Sequence, residues 1–226
     1  MARGLFLTFE GGEGSGKTTQ LKALLAHLRA LGREAIETRD PGGTPIGNQI
    51  RQLLLDGENA RMVALTELLL YEASRAQLVR EVIRPALADG RIVLCDRFTD
   101  STLAYQGDGR GLEADLITHL NQLAADGLRP DCTFLLDLDP AAGLRRAGER
   151  LSQVRGRRDR LEEEVLEFHQ RVRAGFQAIA RAEPGRVLVL DGAQEIVTIE
   201  GQIRRHVAAL LGAGREPVGG RPAAGG

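Results

Sequence analysis

A chain of 226 residues with 42% hydrophobic and 27% charged residues can bury one sizeable core and has the profile of an ordinary globular domain. Its formal net charge of −1 argues against a general attraction to nucleic acid, so any anion it binds must be gripped by a local site. Two cysteines without zinc-ligand spacing and no apolar run of bilayer length exclude a disulfide scaffold and a membrane span, and predict a soluble, cytoplasmic protein.

In chain order, the apolar run at 5–10 predicts a first strand, residues 17–31 a helix and residues 34–38 a second strand. A long stretch with apolar residues three and four apart predicts a helix over 65–88, stopped by Gly90. Strands follow at 91–96, 133–138 and 186–190, separated by helices at 113–125, 141–149 and 161–181, with a last helix at 195–211. Continuous apolar strands alternating with amphipathic helices describe an α/β fold, a parallel sheet covered on both faces. Cys95 and Cys132 fall within apolar strands and read as buried thiols. Residues 212–226, rich in glycine, proline, alanine and arginine, have little to bury and read as a disordered tail.

Between the first strand and first helix stands "GGEGSGKT", which fits G-x-x-x-x-G-K-[ST] over Gly11, Gly12, Glu13, Gly14, Ser15, Gly16, Lys17 and Thr18. In this strand–turn–helix context the glycines let backbone N–H groups curl around a phosphate, and Lys17 reaches the outer phosphates. The Thr18 hydroxyl then serves Mg²⁺, and the chain is expected to bind ATP. The fold is accordingly a three-layer P-loop NTPase fold, with a five-stranded parallel sheet flanked by helices. A GTPase needs an Asn-Lys-x-Asp base-reading motif. The only lysines are Lys17 and Lys22, so a small phosphotransferase is the better fit. The other 28 basic residues are arginines, so an arginine carries weight only inside a motif.

The third predicted strand ends in Asp96-Arg97, where a doubly wound sheet opens its ligand crevice. An acid there suits the metal, with Thr18, and an arginine can fork onto a phosphate. The stretch continues through Phe98, Ser101 and Thr102 into "AYQG", Ala104 to Gly107. With "TRDPGGTPIGNQIRQLLL", "LLLYEASRAQ" and "DRLEEE" in the same order, it resembles the thymidylate kinase family over roughly residues 3–211. Asp40 and Phe98 are the small departures, where Glu and Tyr or His are commoner.

The resemblance implies that ATP phosphorylates thymidine monophosphate with Mg²⁺ on a domain of residues 1–211, in a protein that is usually a homodimer. It implies Tyr71 stacked on the base and Arg75 at its carbonyl edge, Arg39 and Arg97 on the acceptor phosphate, and Ser101, Thr102, Tyr105 and Gln106 around the nucleoside. Glu13 should point away from the donor phosphates, toward the acceptor sugar or metal-bound water. Some members carry an arginine in the loop at the position of Gly14; with glycine there, the missing charge is expected from a lid over about 147–160. That stretch holds Arg150, Arg155, Arg157 and Arg158, and Arg155 aligns best with the lid arginine. Two readings stay open: another nucleoside-monophosphate or deoxynucleoside kinase, and a regulator that only senses or hydrolyses ATP.

Overall fold

Strand β1 (Phe6–Glu10) is buried at all five residues because it lies at the centre of the sheet. In the computed structural model, which describes residues 4–154 and 160–213, it is flanked by β3 (Ile92–Asp96) and β4 (Cys132–Asp137). β2 (Ala35–Arg39) and β5 (Val187–Asp191) form the edges, giving the order β2-β3-β1-β4-β5. Every pairing is parallel, with Phe9 opposite both Asp96 and Phe134. β1 feeds β2 on one side and β4 feeds β5 on the other, so a crevice opens at the carboxyl ends of the central strands.

Alternation along the strands divides the core between two faces. On one, Leu7, Phe9, Leu94, Phe134 and Leu136 pack against Leu21, Leu24 and Leu28 of α1 (Lys17–Ala30) and Ile199 and Ile203 of α9 (Ile196–Ala213). On the other, Phe6, Val93 and Cys95 meet Leu78 of α3 (Ala64–Leu78), Ile83, and Ala86 and Leu87 of α4 (Arg84–Ala88). Leu135 and Val187 share a cluster with Phe168, Val172 and Phe176 of α8 (Leu166–Ala182). The remaining helices are α2 (Pro45–Leu55), the short α5 (Thr99–Thr102), α6 (Ala114–Ala124) and α7 (Pro140–Val154). Both cysteines are buried free thiols, and burial pushes both well above the ordinary range.

Four features depart from the sequence expectation. Helix α2 has no counterpart there, although Thr44 caps it by accepting from the Gly47 N–H at 2.9 Å and Pro45 opens its first turn. The helix expected over 65–88 passes through a π-helical turn, Val79–Ile83, because Pro85 has no N–H to give the carbonyl four residues back. Residues from Thr99 to Gly109 are helical, the second part a wide π turn, where the sequence shows only a motif. Helix α8 starts at Leu166 rather than 161, because the preceding residues are tied elsewhere: Arg160 donates to the carbonyls of Leu54 and Leu55, and Arg110 to Glu164. At the other end α9 runs to Ala213, and residues 214–226, most of the predicted tail, lie outside the described residues.

Candidate active site

The turn from β1 into α1 brings the first group of site residues together. Gly16 adopts φ 96° as the residue before α1, a left-handed conformation suited to glycine. Lys17 is buried and lays its Nζ back over the loop, donating to the carbonyls of Gly11 (3.0 Å) and Gly12 (2.8 Å). Burial, then the charge of Arg97, lower its pKa to about 8 against the pull of Glu13 and Asp96. Gly14, at φ 65°, faces Gly143 near the start of α7 so closely that a Cβ on either residue would overlap the other's segment. A cavity of about 700 Å³ spreads in front of the loop, lined by residues 13–19 with Arg39, Asp96, Arg97 and Arg146.

The second group comes from the end of β3. Thr18 Oγ1 donates to Asp96 Oδ2 at 2.7 Å across the crevice. Among the described residues no cluster of three acids, histidines or cysteines is placed to hold a metal. A hydroxyl beside one carboxylate, completed by phosphate oxygens and water, is nevertheless the donor set that magnesium takes in phosphoryl-transfer sites.

Arg97 follows with φ 69°, a conformation unusual for a non-glycine residue. That twist turns its guanidinium from the strand end toward the loop and the next helix. Nη1 donates to the Gly11 carbonyl (3.0 Å) and Ser101 Oγ (3.1 Å); Nη2 donates to Glu13 Oε1 (2.7 Å) and the Tyr105 hydroxyl (3.0 Å). Tyr105 donates in turn to Glu13 at 2.8 Å. Burial alone would raise the pKa of Glu13, but Arg97, then Lys17 and Tyr105, bring it down to about 2, so this carboxylate stays ionised. The acid in the glycine loop thus turns toward Arg97 and Tyr105 while still lining the large cavity.

A second recess is a slot of only about 20 Å³, room for one water, walled by Asp40, Tyr71, Arg75, Tyr105, Gln106 and Leu161 among others. Arg75 is 1% exposed with all five donors engaged: Nε to Asp40 (2.6 Å), Nη1 to Glu72 (2.9 Å) and Asn121, and Nη2 to Thr102 (2.7 Å) and the Phe98 carbonyl (3.3 Å). Its pKa is raised because Asp40 and Glu72 outweigh burial. A base carbonyl would have to share Nη2 with its long bond to Phe98. Ser101 donates to Glu10 at 2.6 Å, and Gln106 donates to Glu67 at 2.7 Å. Arg39 lines the large cavity and touches Asn48 Oδ1 at 3.4 Å.

Of the sequence-predicted residues, Glu13 to Thr18, Asp96, Arg97 and Arg39 surround the large cavity, and Tyr71, Arg75, Ser101, Thr102, Tyr105 and Gln106 surround the slot; Gly11 and Gly12 do not line the large cavity, and their carbonyls accept from Lys17. Arg97 belongs to both. Of the lid arginines, Arg150 falls within α7, and Arg155, Arg157 and Arg158 lie outside the described residues. Sequence reasoning missed Glu10, Glu67, Glu72, Arg110 and Arg160, which hold the others in place. A signal existed for Glu67, which precedes Tyr71 and Arg75 at spacings of four and so shares their helix face.

A phosphate loop, a strand-end acid and arginine, and a separate small recess walled by side chains fit an ATP-dependent nucleoside-monophosphate kinase. A family profile described as thymidylate kinase matches residues 9–203. Relatives named thymidylate kinase include one from Geobacter sulfurreducens, 57% identical over 84% of this chain and 89% of its own. Another, from Deinococcus radiodurans, is 54% identical over 90% of this chain and 96% of its own. A crystal structure of thymidylate kinase from Ehrlichia chaffeensis superposes with a TM-score of 0.74 at 35% identity, covering 91% of this chain and 99% of that one. The chain belongs to the thymidylate kinase family.

Proposed function

We propose that this protein transfers the γ-phosphoryl group of ATP directly to thymidine monophosphate, giving ADP and thymidine diphosphate. The observation that carries this reading is the double engagement of Arg97, whose Nη1 reaches the donor loop at Gly11 while Nη2 reaches Tyr105 in the wall of the acceptor slot. A cation that joins both walls can neutralise the acceptor phosphate beside the γ-phosphate it is to attack. In-line transfer between phosphates so held needs no covalent intermediate.

In this mechanism the loop amides and Lys17 hold the outer phosphates of ATP, and Lys17 leaves the carbonyls of Gly11 and Gly12 to do so. Thr18 and Asp96 hold Mg²⁺, which when bound neutralises charge on the donor phosphates. Arg97 and Arg39 take the acceptor phosphate, Glu13 aims Arg97, and Tyr71, Arg75, Ser101, Thr102 and Gln106 receive the nucleoside. Arg155 supplies the charge that Gly14 does not. Residues 1–211 constitute the kinase domain. Among the described residues no helix is long and apolar enough to cross a membrane, and we assign the protein to the cytoplasm. Leu65 and Leu69 leave about half their surface exposed on α3, which supports a homodimer through that helix; sedimentation as a monomer would refute this part.

Coupled-assay turnover with thymidine, uridine, adenosine and guanosine monophosphates and with free thymidine tests the reading. The expected result is a clear preference for thymidine monophosphate, dependent on Mg²⁺. Preference for any other acceptor would overturn it.

A further inference from the structure

Glu67 is buried to 1% exposure on α3 and lines neither the large cavity nor the slot. Its Oε1 accepts from Gln106 Nε2 (2.7 Å) and Arg110 Nε (3.2 Å); its Oε2 accepts from Arg110 Nη2 (3.2 Å) and pairs with Arg160 Nη2. Arg110 is fixed from behind by Glu164 at 2.5 Å and by stacking 4.6 Å over Phe168, and Arg160 by the Leu54 carbonyl at 3.0 Å. Burial alone would favour the neutral acid. The bonds from Arg110 and Gln106 and the charges of Arg110 and Arg160 outweigh it, and the pKa is lowered. Glu67 is therefore ionised, and an ionised carboxylate accepts hydrogen bonds without donating any.

This decides which way the amide of Gln106 faces. Only its nitrogen can bond to Glu67, so its oxygen is the end left for the slot that Gln106 lines with Tyr71 and Arg75. An amide oxygen accepts. It suits a pyrimidine whose ring N3 carries a hydrogen, as in thymine or uracil, and opposes the lone pair of cytosine N3. A free glutamine would turn its amide and accommodate either.

We propose that Glu67 is a positioning residue for base selection, which holds the Gln106 amide so that the slot accepts an imide N–H and refuses a cytosine ring. The inference rests on the thymidine monophosphate reading and names the group that enforces it. A second consequence lies in the same contacts. Arg160 opens the "RLEEE" stretch whose Leu161 lines the slot, so the carboxylate that sets the base-reading amide also anchors the start of that stretch.

The test is steady-state kinetics on the full chain, read as the ratio of kcat/KM for thymidine monophosphate to that for deoxycytidine monophosphate. Glu67→Gln removes the requirement that Gln106 present its nitrogen, and the ratio should fall by about tenfold or more. In Glu67→Gln/Gln106→Glu the carboxylate moves to position 106, where it again offers only acceptors to the base, and the ratio should return to within about threefold of wild type. A structural role alone would lower both substrates together and show no such rescue. An unchanged ratio in Glu67→Gln, or a lowered ratio that the exchange fails to restore, overturns the proposal. Should Glu67→Gln not fold, the exchanged pair alone decides, because it keeps one carboxylate and one amide. A wild-type enzyme without preference for thymidine monophosphate would instead overturn the functional reading beneath it.

Discussion

Arg97 uses one guanidinium to hold four partners, and every one of them belongs to a wall of the site. Both of its terminal nitrogens are satisfied by the protein, with Glu13 already occupying the position an anion would take. An arriving phosphate therefore exchanges for existing bonds, and the guanidinium is pre-aimed rather than searching. In the proposed mechanism this arrangement serves the acceptor and leaves the migrating phosphoryl group in need of further positive charge. Lys17 sits on one side of the loop, Gly14 offers nothing, and Arg39 is bonded weakly at the edge. In the proposed mechanism Arg155, which lies in the sequence between α7 and Arg160, adds to the charge of Arg146 in the wall of the same cavity. Arg155→Ala is expected to lower kcat by on the order of 10²-fold or more while changing the acceptor KM far less, because the interaction forms only as charge spreads over the transferred group. Steady-state kinetics with thymidine monophosphate varied at saturating ATP measure both constants; unchanged kcat would remove Arg155 from the mechanism.

At the scale of elements, Gly14 acquires a second reason to be glycine. Its close approach to Gly143 lets the phosphate loop pack directly on the first turn of α7, where a Cβ on Gly14 would meet the Gly143 carbonyl and one on Gly143 would meet the Glu13 carbonyl. We expect a displacement of α7 to be felt by the phosphate loop through this contact. Gly143→Ala places a methyl inside the Glu13 carbonyl, an overpacking that costs about 1–3 kcal/mol and that backbone can relieve only by moving α7 away. The expected outcome is a Tm lower by a few degrees, about 2–4 °C per kcal/mol for a chain of this size, together with a reduced kcat. A loss of stability with full activity would show that α7 and the loop are mechanically independent. The two kinds of element differ in how far the sequence reveals them. Strands and the glycine loop announce themselves, because a short unbroken apolar run suits a strand covered on both faces and a string of glycines suits a backbone that must curl around an anion. The π turns at Val79–Ile83 and Leu103–Gly109 do not, because they arise from the conflict between helix periodicity and Pro85, and from packing of the second turn against α8. Likewise Tyr71, Arg75 and Gln106 were legible through a motif, whereas Arg110 was not, and Arg160, although inside the "DRLEEE" stretch, carried no role there. Their partner Glu67 lies tens of residues away, and an excess of arginine hides the two that matter.

Taken as a whole molecule, the site is built over a buried carboxylate that none of the proposed steps uses. Glu10 ends the central strand with no exposed surface and accepts from the Phe98 N–H at 2.7 Å and Ser101 Oγ at 2.6 Å, so it ties β1 to the start of α5 beneath Arg97. Burial, then repulsion from Asp100, raise its pKa to about 7 against the attraction of Arg97. Unfolded, the same group titrates near its ordinary value of 4.5. Below that value both states are protonated and Glu10 has no effect on the pH dependence. Between 4.5 and about 7 the folded state holds a proton that the unfolded state has released, so stability falls as pH rises, by roughly 3 kcal/mol in all, and above 7 the loss is complete. Glu13 acts in the opposite sense lower down: its pKa of about 2 means that stability is lost as pH drops from 4.5 toward 2. Glu10→Gln keeps an oxygen for the Phe98 N–H and an amide that Ser101 can meet by turning its hydroxyl, but it cannot ionise. Relative to wild type the variant should therefore gain stability steadily from pH 5 to pH 7.5, the contributions of other groups cancelling in the difference. Urea unfolding of both proteins at pH 5, 6 and 7.5 measures it; a difference that stays constant with pH would mean that Glu10 is ionised in the folded protein throughout, and that Arg97, rather than burial, sets its charge.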